Sequence, residues 1–172
     1  MAKHISLIRR HETEMNKLHQ ALKDAYKSRE HSSSKREDWQ RLAARFRSYR
    51  SAVDDWLEDF EKRDTVDWED GREFVFDYFT ADPFYFRSGY ATEMLVRFVK
   101  RLKFTASEKE IIRDLIIRRI ENGGRREFKK FCQLIPRVQT SEFELELTEL
   151  STEKSPRVAR RAEIAKSYLS ST

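Results

Sequence analysis

The first sixty residues carry apolar side chains at alternating steps of three and four, the spacing of one narrow seam along an α-helix. Between residues 5 and 29 the seam consists of Ile8, His11, Met15, Leu18, Leu22 and Ala25. Between residues 34 and 62 a second seam consists of Trp39, Leu42, Phe46, Tyr49, Val53, Trp56 and Phe60. Ser34 and Glu37 have the spacing of a capping box, so the second helix is predicted to begin there.

Two long helices with matching seams and a short connector predict an antiparallel helical hairpin. We assign this hairpin to residues 1–64 and a compact helical-array domain to residues 65–172. His11 lies in the first seam, where a polar side chain sets the register of packing more often than it binds a metal. Its protonation near neutral pH is expected to weaken the packing of the hairpin.

Glycine and proline are rare, at four and three of 172 residues, so turns are few and the elements are long. Charged residues make up 38% of the chain, well above the roughly 25% of typical globular domains. No apolar run approaches the roughly 20 residues that span a bilayer, and the start lacks the apolar stretch of a secretory signal. The single cysteine, Cys132, excludes an internal disulfide. The composition predicts an all-α, soluble, cytoplasmic protein with no membrane contact.

After about residue 68 the apolar faces become broad, which is typical of helices buried on several sides. The segments with a helical pattern are residues 73–81, 90–102, 107–120, 125–135 and 156–169. Ser107 and Glu110 form a capping box, and Pro136 is predicted to stop the basic helix of residues 125–135. Residues 142–150 alternate as a strand would, although the lack of a partner strand favours a helix.

These segments form three pairs of short helices that begin about 35–40 residues apart, a spacing that resembles helical-repeat arrays of the HEAT or armadillo kind. The stretch PRVARRAEIAKSYL, residues 156–169, resembles the second helix of a HEAT unit through its small residues and paired arginines. This resemblance implies a compact stack of about six shorter helices and no particular activity.

The stretch NGGRREFKKFCQLIPR, residues 122–137, places two glycines before four basic residues. The glycines lack the spacing of a phosphate-binding loop and are typical of a helix end. Residues 97–137 hold thirteen Lys/Arg against five Asp/Glu. This basic ridge predicts contacts with phosphates or an acidic partner, whereas a solvated helix face is the simpler interpretation. The assigned residues are Arg97, Arg101, Arg118, Arg125, Arg126, Lys129 and Lys130.

Residues 54–73 have the opposite balance, with ten Asp/Glu against three Lys/Arg. They do not match a calcium-binding loop, because Val66 would occupy the first ligand position if Gly71 were the loop glycine. Their expected place near a helix C-terminus is unfavourable for the helix dipole, which favours a role in binding a basic partner. The predicted acidic docking patch comprises Asp54, Asp55, Glu58 and Asp59.

The chain contains no recognisable nucleophile, zinc or dinucleotide motif. Its four histidines are separated by gaps of seven, eight and twelve residues, which suits no single metal site. Cys132 lies on an apolar helix face and is expected to be an inert buried thiol. We therefore expect no catalysis, no metal and no cofactor.

The pattern favours an interaction or adaptor module that binds a protein partner, or a second copy of itself, through the hairpin. The alternative is a nucleic-acid-binding protein that uses the basic ridge of residues 97–137 for phosphate contacts.

Overall fold

The structure is a computed structural model that describes residues 3–63, 68–123 and 127–169. Its helices are α1 (Ile5–Ser28), α2 (Ser33–Ser48), α3 (Ala52–Lys62), α4 (Glu69–Ala81), α5 (Ser88–Val99), α6 (Ala106–Asn122), α7 (Phe128–Cys132), α8 (Ile135–Val138), α9 (Ser141–Ser151) and α10 (Pro156–Lys166). The described residues contain no strand, which confirms the all-α prediction. The ambiguous residues 142–150 are helical and belong to α9.

Helices α1 and α2 pack against each other through rings that meet in reverse order along the two helices. Tyr26 contacts Trp39, and His19 stacks on Phe46 with ring centroids 5.6 Å apart. Near the other end, His11 meets Tyr49 at 5.8 Å. Of the rings on the α1 side, only His11 belongs to the seam predicted from the sequence, and the antiparallel hairpin stays a prediction.

The predicted second helix is interrupted, and this corrects the expectation of one helix reaching Lys62. Residues Tyr49 and Ser51 have extended backbone angles, and Ser51 caps a new helix, α3, in a capping box with Asp54. An aspartate at the third helical position satisfies the Ser51 backbone N–H as a glutamate would, so the chain starts a helix afresh here.

The interruption redirects the second half of the seam towards α4 and α5. Trp56 stacks on Phe74 of α4 with centroids 5.0 Å apart and ring planes 12° apart. Phe60 meets Phe98 of α5 edge-on at 4.9 Å. Side chains predicted to pair with α1 thus join an aromatic core beneath α3.

The apolar core is centred on α4 and α6. Helix α4 packs against α1 and α6, and α6 also contacts α7, α8, α9 and α10. The fully buried side chains of α6 are Ile112, Leu115, Ile116 and Ile120. The broad apolar face predicted for this segment therefore reflects a central position in the fold.

Three further boundaries differ from the predictions because of local hydrogen bonding. Helix α6 is capped by Thr105 in a capping box with Glu108, two residues before the predicted pair. Residues 125 and 126 of the predicted basic helix lie outside the described residues, and its described part contains the short α7. Pro136 lies in the first turn of α8, where its missing N–H costs no hydrogen bond.

The division between residues 1–64 and 65–172 stays a prediction, since residues 64–67 lie outside the described ranges. Ile8, Val53 and Phe60 of the first part belong to the same buried cluster as the residues of α4 and α6. No helix in the described ranges has the length and apolar character to cross a bilayer.

His11 of α1 contacts the residues at the interruption between α2 and α3. Its ring is 2% exposed, and its Nδ1 lies 2.7 Å from the Ser51 hydroxyl oxygen and 3.7 Å from a carboxylate oxygen of Asp54. Its Nε2 is buried and has no hydrogen-bond partner among the described residues. Burial lowers the pKa of His11, while the charge of Asp54 acts in the opposite direction. The folded protein therefore favours neutral His11.

We predict that the free energy of unfolding decreases as the pH falls below the ordinary histidine value of about 6.5. The unfolded chain binds a proton at His11 in that range, whereas the folded chain resists it. His11→Gln should flatten this dependence, measured by urea unfolding between about pH 5 and pH 8. His31→Gln, in the exposed connector before α2, is the control and should retain the wild-type slope; an unchanged slope in His11→Gln would contradict the assignment.

Candidate interaction surface

Four arginines of the later helices are engaged at the C-terminal ends of other helices. Arg118 donates to the carbonyl oxygens of Phe79 and Thr80 at 3.4 and 3.3 Å, at the end of α4. Arg161 donates to the carbonyl oxygens of Ile120 and Glu121 at 2.6 and 3.1 Å, at the end of α6. These carbonyl groups have no partner within their own helices, and the dipole favours a cation there.

The other two arginines act in the same way. Arg137 donates to the carbonyl oxygens of Lys100, at 2.6 Å, and Leu102, just beyond α5. Arg113 donates to the carbonyl oxygen of Val138 at 3.0 Å, at the end of α8. Three of these four arginines, Arg113, Arg118 and Arg137, belong to the predicted basic ridge, and their charge is used to join helices.

A smaller basic cluster remains between α5 and α7. Lys130 forms an ion pair with Glu93 at 3.2 Å, and Lys100 donates to the side chain of Gln133. Arg97 lies between Glu93 and Lys100 on the same face of α5, and Lys129 is exposed beside Lys130.

The remaining assigned residues of the ridge lie apart from this cluster or outside the described chain. Arg101 lies over the ring of Phe98 at 5.8 Å, and Arg118 supports the end of α4. Arg125 and Arg126 lie outside the described residues.

The acidic docking patch is largely neutralised by its own neighbours. Arg50 pairs with Asp55 at 3.0 Å and with Glu58 at 2.6 Å, and hydrogen bonds from Lys62 and Arg50 lower the pKa of Glu58 to about 2. Asp54 and Asp55 lie in the first turn of α3, where the helix dipole favours negative charge. The expectation that the dipole opposes this patch is therefore wrong for Asp54 and Asp55, whereas Glu58 and Asp59 lie in the C-terminal half of α3.

The loop between α4 and α5 exposes aromatic side chains that the sequence analysis did not single out. We call residues 82–87 the aromatic loop. Within it Phe84 is 64% exposed and Phe86 is 37% exposed, and Tyr90, in the first turn of α5, is 63% exposed. Asp82 and Arg87 at its ends have positive φ angles of 43° and 70°, a conformation that costs free energy in residues with a side chain.

Polar contacts from α1 hold the aromatic loop. The backbone N–H of Phe84 donates to a carboxylate oxygen of Glu12 at 2.7 Å, and the amide of Asn16 donates to the carbonyl oxygen of Phe84 at 2.8 Å. Tyr85 points inwards and its hydroxyl lies 3.1 Å from that of Tyr78. The exposed rings are therefore carried on an ordered backbone.

A buried charge cluster fixes the start of the same loop. Arg119 is 3% exposed and pairs with Asp82 at 2.6 Å and with Glu127 at 3.2 Å. Its guanidinium also lies 4.4 Å from the centre of the Phe131 ring. We call Asp82, Arg119 and Glu127 the Arg119 cluster; it joins the end of α4, the last turn of α6 and the residue before α7.

An apolar groove continues from the aromatic loop along α1 and α2. It is a cavity of about 390 Å³ whose lining residues are His19, Leu22, Lys23, Tyr26, Lys27 and Trp39. We call it the α1–α2 groove. The ring of His19 also contacts Phe86 at 4.9 Å, so the groove and the aromatic loop meet.

Cations border this groove. Arg29 lies 3.4 Å from the centre of the Tyr26 ring, and Lys23 and Lys27 are part of the lining. Tyr26 itself is 50% exposed. Aromatic rings with cations at their edge suit a partner that presents apolar and acidic side chains.

A second cavity, of about 780 Å³, lies along α4, between the start of α1 and the N-terminal part of α6. Arg72 donates to both carboxylate oxygens of Glu108 at 2.6 Å, and Glu108 also accepts from the Thr105 N–H that begins α6. The charged groups of this cavity thus serve the fold, and we assign no reaction to it.

Chemistry-bearing side chains are scattered over the described part of the chain. Cys132 is fully buried, and burial raises the pKa of its thiol to about 12. Among the described residues no three His, Cys, Asp or Glu side chains are arranged to hold a metal ion. The aromatic loop and the α1–α2 groove are therefore the surface most suited to binding.

Comparison of the chain with protein-family models, with curated protein sequences and with solved structures finds no match. The interpretation of this surface therefore depends on its own geometry.

We predict that Arg119→Met lowers the free energy of unfolding by about 3–5 kcal/mol, because it leaves two carboxylates buried without their cation. Asp82→Asn retains a residue type that tolerates the left-handed backbone and should cause a smaller loss in the same direction. Urea unfolding measures both changes. The exposed control Arg97→Met should stay within about 0.5 kcal/mol of the wild type, and a similarly small change in Arg119→Met would contradict the role of the cluster.

Proposed function

We propose that the chain is a non-catalytic protein-interaction module, and that it binds its partner through the surface formed by the aromatic loop and the α1–α2 groove. The observation that carries this proposal is an exposed set of aromatic side chains on an ordered backbone. Tyr26, Phe84 and Phe86 lie along one side of α1, and two hydrogen bonds from α1 side chains hold the backbone of Phe84.

Exposed rings of this kind favour association. Burial of the exposed part of one aromatic side chain contributes on the order of 1–2 kcal/mol to binding. A preformed backbone reduces the entropy lost on binding, because the loop is already ordered. The polar groups of Glu12 and Asn16 that hold it are satisfied before any partner arrives.

We further propose that α1 and α2 act as the predicted antiparallel hairpin, with the α1–α2 groove on its side. The reverse order of the ring contacts between the two helices supports this. The HEAT- or armadillo-like pairing of the later helices stays a prediction. The close contact of α9 with α10 favours it, whereas α6, which touches five other helices, departs from the nearest-neighbour contacts of a repeat array.

The runner-up is a nucleic-acid-binding protein. Its support is the convergence of Arg97, Lys100, Lys129 and Lys130 on neighbouring faces of α5 and α7, joined by the Lys100–Gln133 contact. Two considerations count against it: the arginines used at helix ends, and the small number of phosphates that four cations could neutralise.

We expect a photo-crosslinking amino acid placed at the position of Tyr26 or Phe84 to capture one and the same protein in the cells that naturally produce the chain. The same group at Glu110, exposed near the start of α6, is the matched control and should not capture it. Mass spectrometry of the crosslinked products identifies the captured protein.

Equal capture from Glu110, or no specific product from either aromatic position, would contradict the proposal. Nucleic-acid binding at low salt that Arg97→Glu, Lys129→Glu and Lys130→Glu together abolish would favour the runner-up.

A further inference from the structure

The α1–α2 groove lies on two helices that are rich in basic residues. Helices α1 and α2 together contain ten Lys/Arg against five Asp/Glu. Lys23 and Lys27 lie in the groove itself, next to Leu22, Tyr26 and Trp39. Its occupant should therefore present an apolar side chain with carboxylates on either side.

Helix α9 presents this combination on its outward face. Leu145 is 65% exposed and is the one exposed large apolar side chain of the described residues that is aliphatic. Glu142, Glu146 and Glu149 occupy the same face at helical spacing and are also exposed. The helix contains four glutamates and no Lys or Arg, while Phe143 and Leu147 bind it to the core from the opposite face.

The acidic face of α9 extends onto α6. Burial and the negative charges of Asp114, Glu121 and Glu149 raise the pKa of Glu146. The carboxylates of this face therefore repel one another in the isolated chain, and a neighbouring cation would relieve that repulsion. Cations of this kind border the α1–α2 groove.

The two surfaces belong to different parts of one molecule. Helix α9 packs on α6 and α10, whereas α1 packs on α2, α3 and α4. Within one copy, this packing fixes the position of α9 relative to the α1–α2 groove. The groove of one copy and the acidic face of another can meet, because separate molecules can orient independently.

We propose that the α1–α2 groove of one copy binds α9 of a second copy, with Leu145 inserted among Leu22, Tyr26 and Trp39 and with Glu146 and Glu149 next to Lys23 and Lys27. This inference rests on the proposed function of the same groove. The contact is heterologous, since each copy uses a different surface towards each neighbour, and it therefore builds rings or chains. Added salt weakens it because opposite charges meet at its edge.

Sedimentation of the full chain from micromolar to millimolar concentration tests the proposal. The wild type should self-associate. Lys23→Glu with Lys27→Glu should weaken association roughly tenfold or more, and so should Glu146→Lys with Glu149→Lys. An equimolar mixture of the two double variants should associate again, because the reversed groove of one then meets the reversed helix of the other. Arg97→Glu with Lys129→Glu makes the same change of charge elsewhere and should leave association unaltered.

A wild type that remains monomeric throughout would overturn the proposal, as would a mixture of the reversed variants that stays monomeric. Crosslinking from Tyr26 to a different protein, together with a monomeric wild type, would overturn this inference and leave the proposed function standing. Capture of α9 peptides of the same chain from Tyr26 would support both.

Discussion

The buried guanidinium of Arg119 is the contact on which the arrangement of the later helices depends. It is 3% exposed, and its two carboxylate partners come from the end of α4 and the residue before α7. A buried cation without these partners, or these carboxylates without the cation, would cost several kcal/mol. The Arg119 pairs therefore hold the three segments together. Because Asp82 is also the first residue of the aromatic loop, the same cluster fixes where that loop begins.

The exposure of the aromatic loop follows from the Arg119 cluster and from contacts with α1. Asp82 leaves α4 with a left-handed backbone, and Glu12 and Asn16 of α1 then bind the backbone of Phe84 two residues later. Tyr85 turns inwards to Tyr78, so its two neighbours turn outwards. The exposure of Phe84 and Phe86 is thus a consequence of contacts on both sides of the loop. An aromatic surface held in this way costs less entropy when a partner binds to it.

Local periodicity was enough to predict the helical class and the central place of α6, while the antiparallel hairpin of α1 and α2 stays a prediction. Periodicity was not enough to predict the role of the charged side chains, because the function of an arginine here depends on partners far along the chain. Arg118 and Arg161 donate to carbonyl groups about forty residues away, which no spacing pattern reveals. The interruption before α3 had a local signal, the Ser51–Asp54 pair, in which aspartate replaces the glutamate of the usual capping box.

The sequence also indicates that aromatic side chains are exposed after α4, but tertiary contacts decide which of them are. Phe84, Tyr85 and Phe86 follow Asp82-Pro83, a typical turn sequence. Three consecutive aromatic residues cannot all face the core from an extended loop, so at least one had to be exposed. Tyr85 alone of the three has a hydroxyl group that can form a hydrogen bond with Tyr78. Tyr85 is therefore buried, and Phe84 and Phe86 are the exposed rings.

Hydrogen exchange of the Phe84 backbone amide, followed by NMR in the free protein, tests the preformed surface most directly. The N–H belongs to a residue that is 64% exposed, yet it donates to Glu12 at 2.7 Å. If the loop is held as described, this amide exchanges far more slowly than an unstructured peptide does. Exchange at the rate of an unstructured peptide would show that the aromatic loop is not ordered before binding, and would contradict the account.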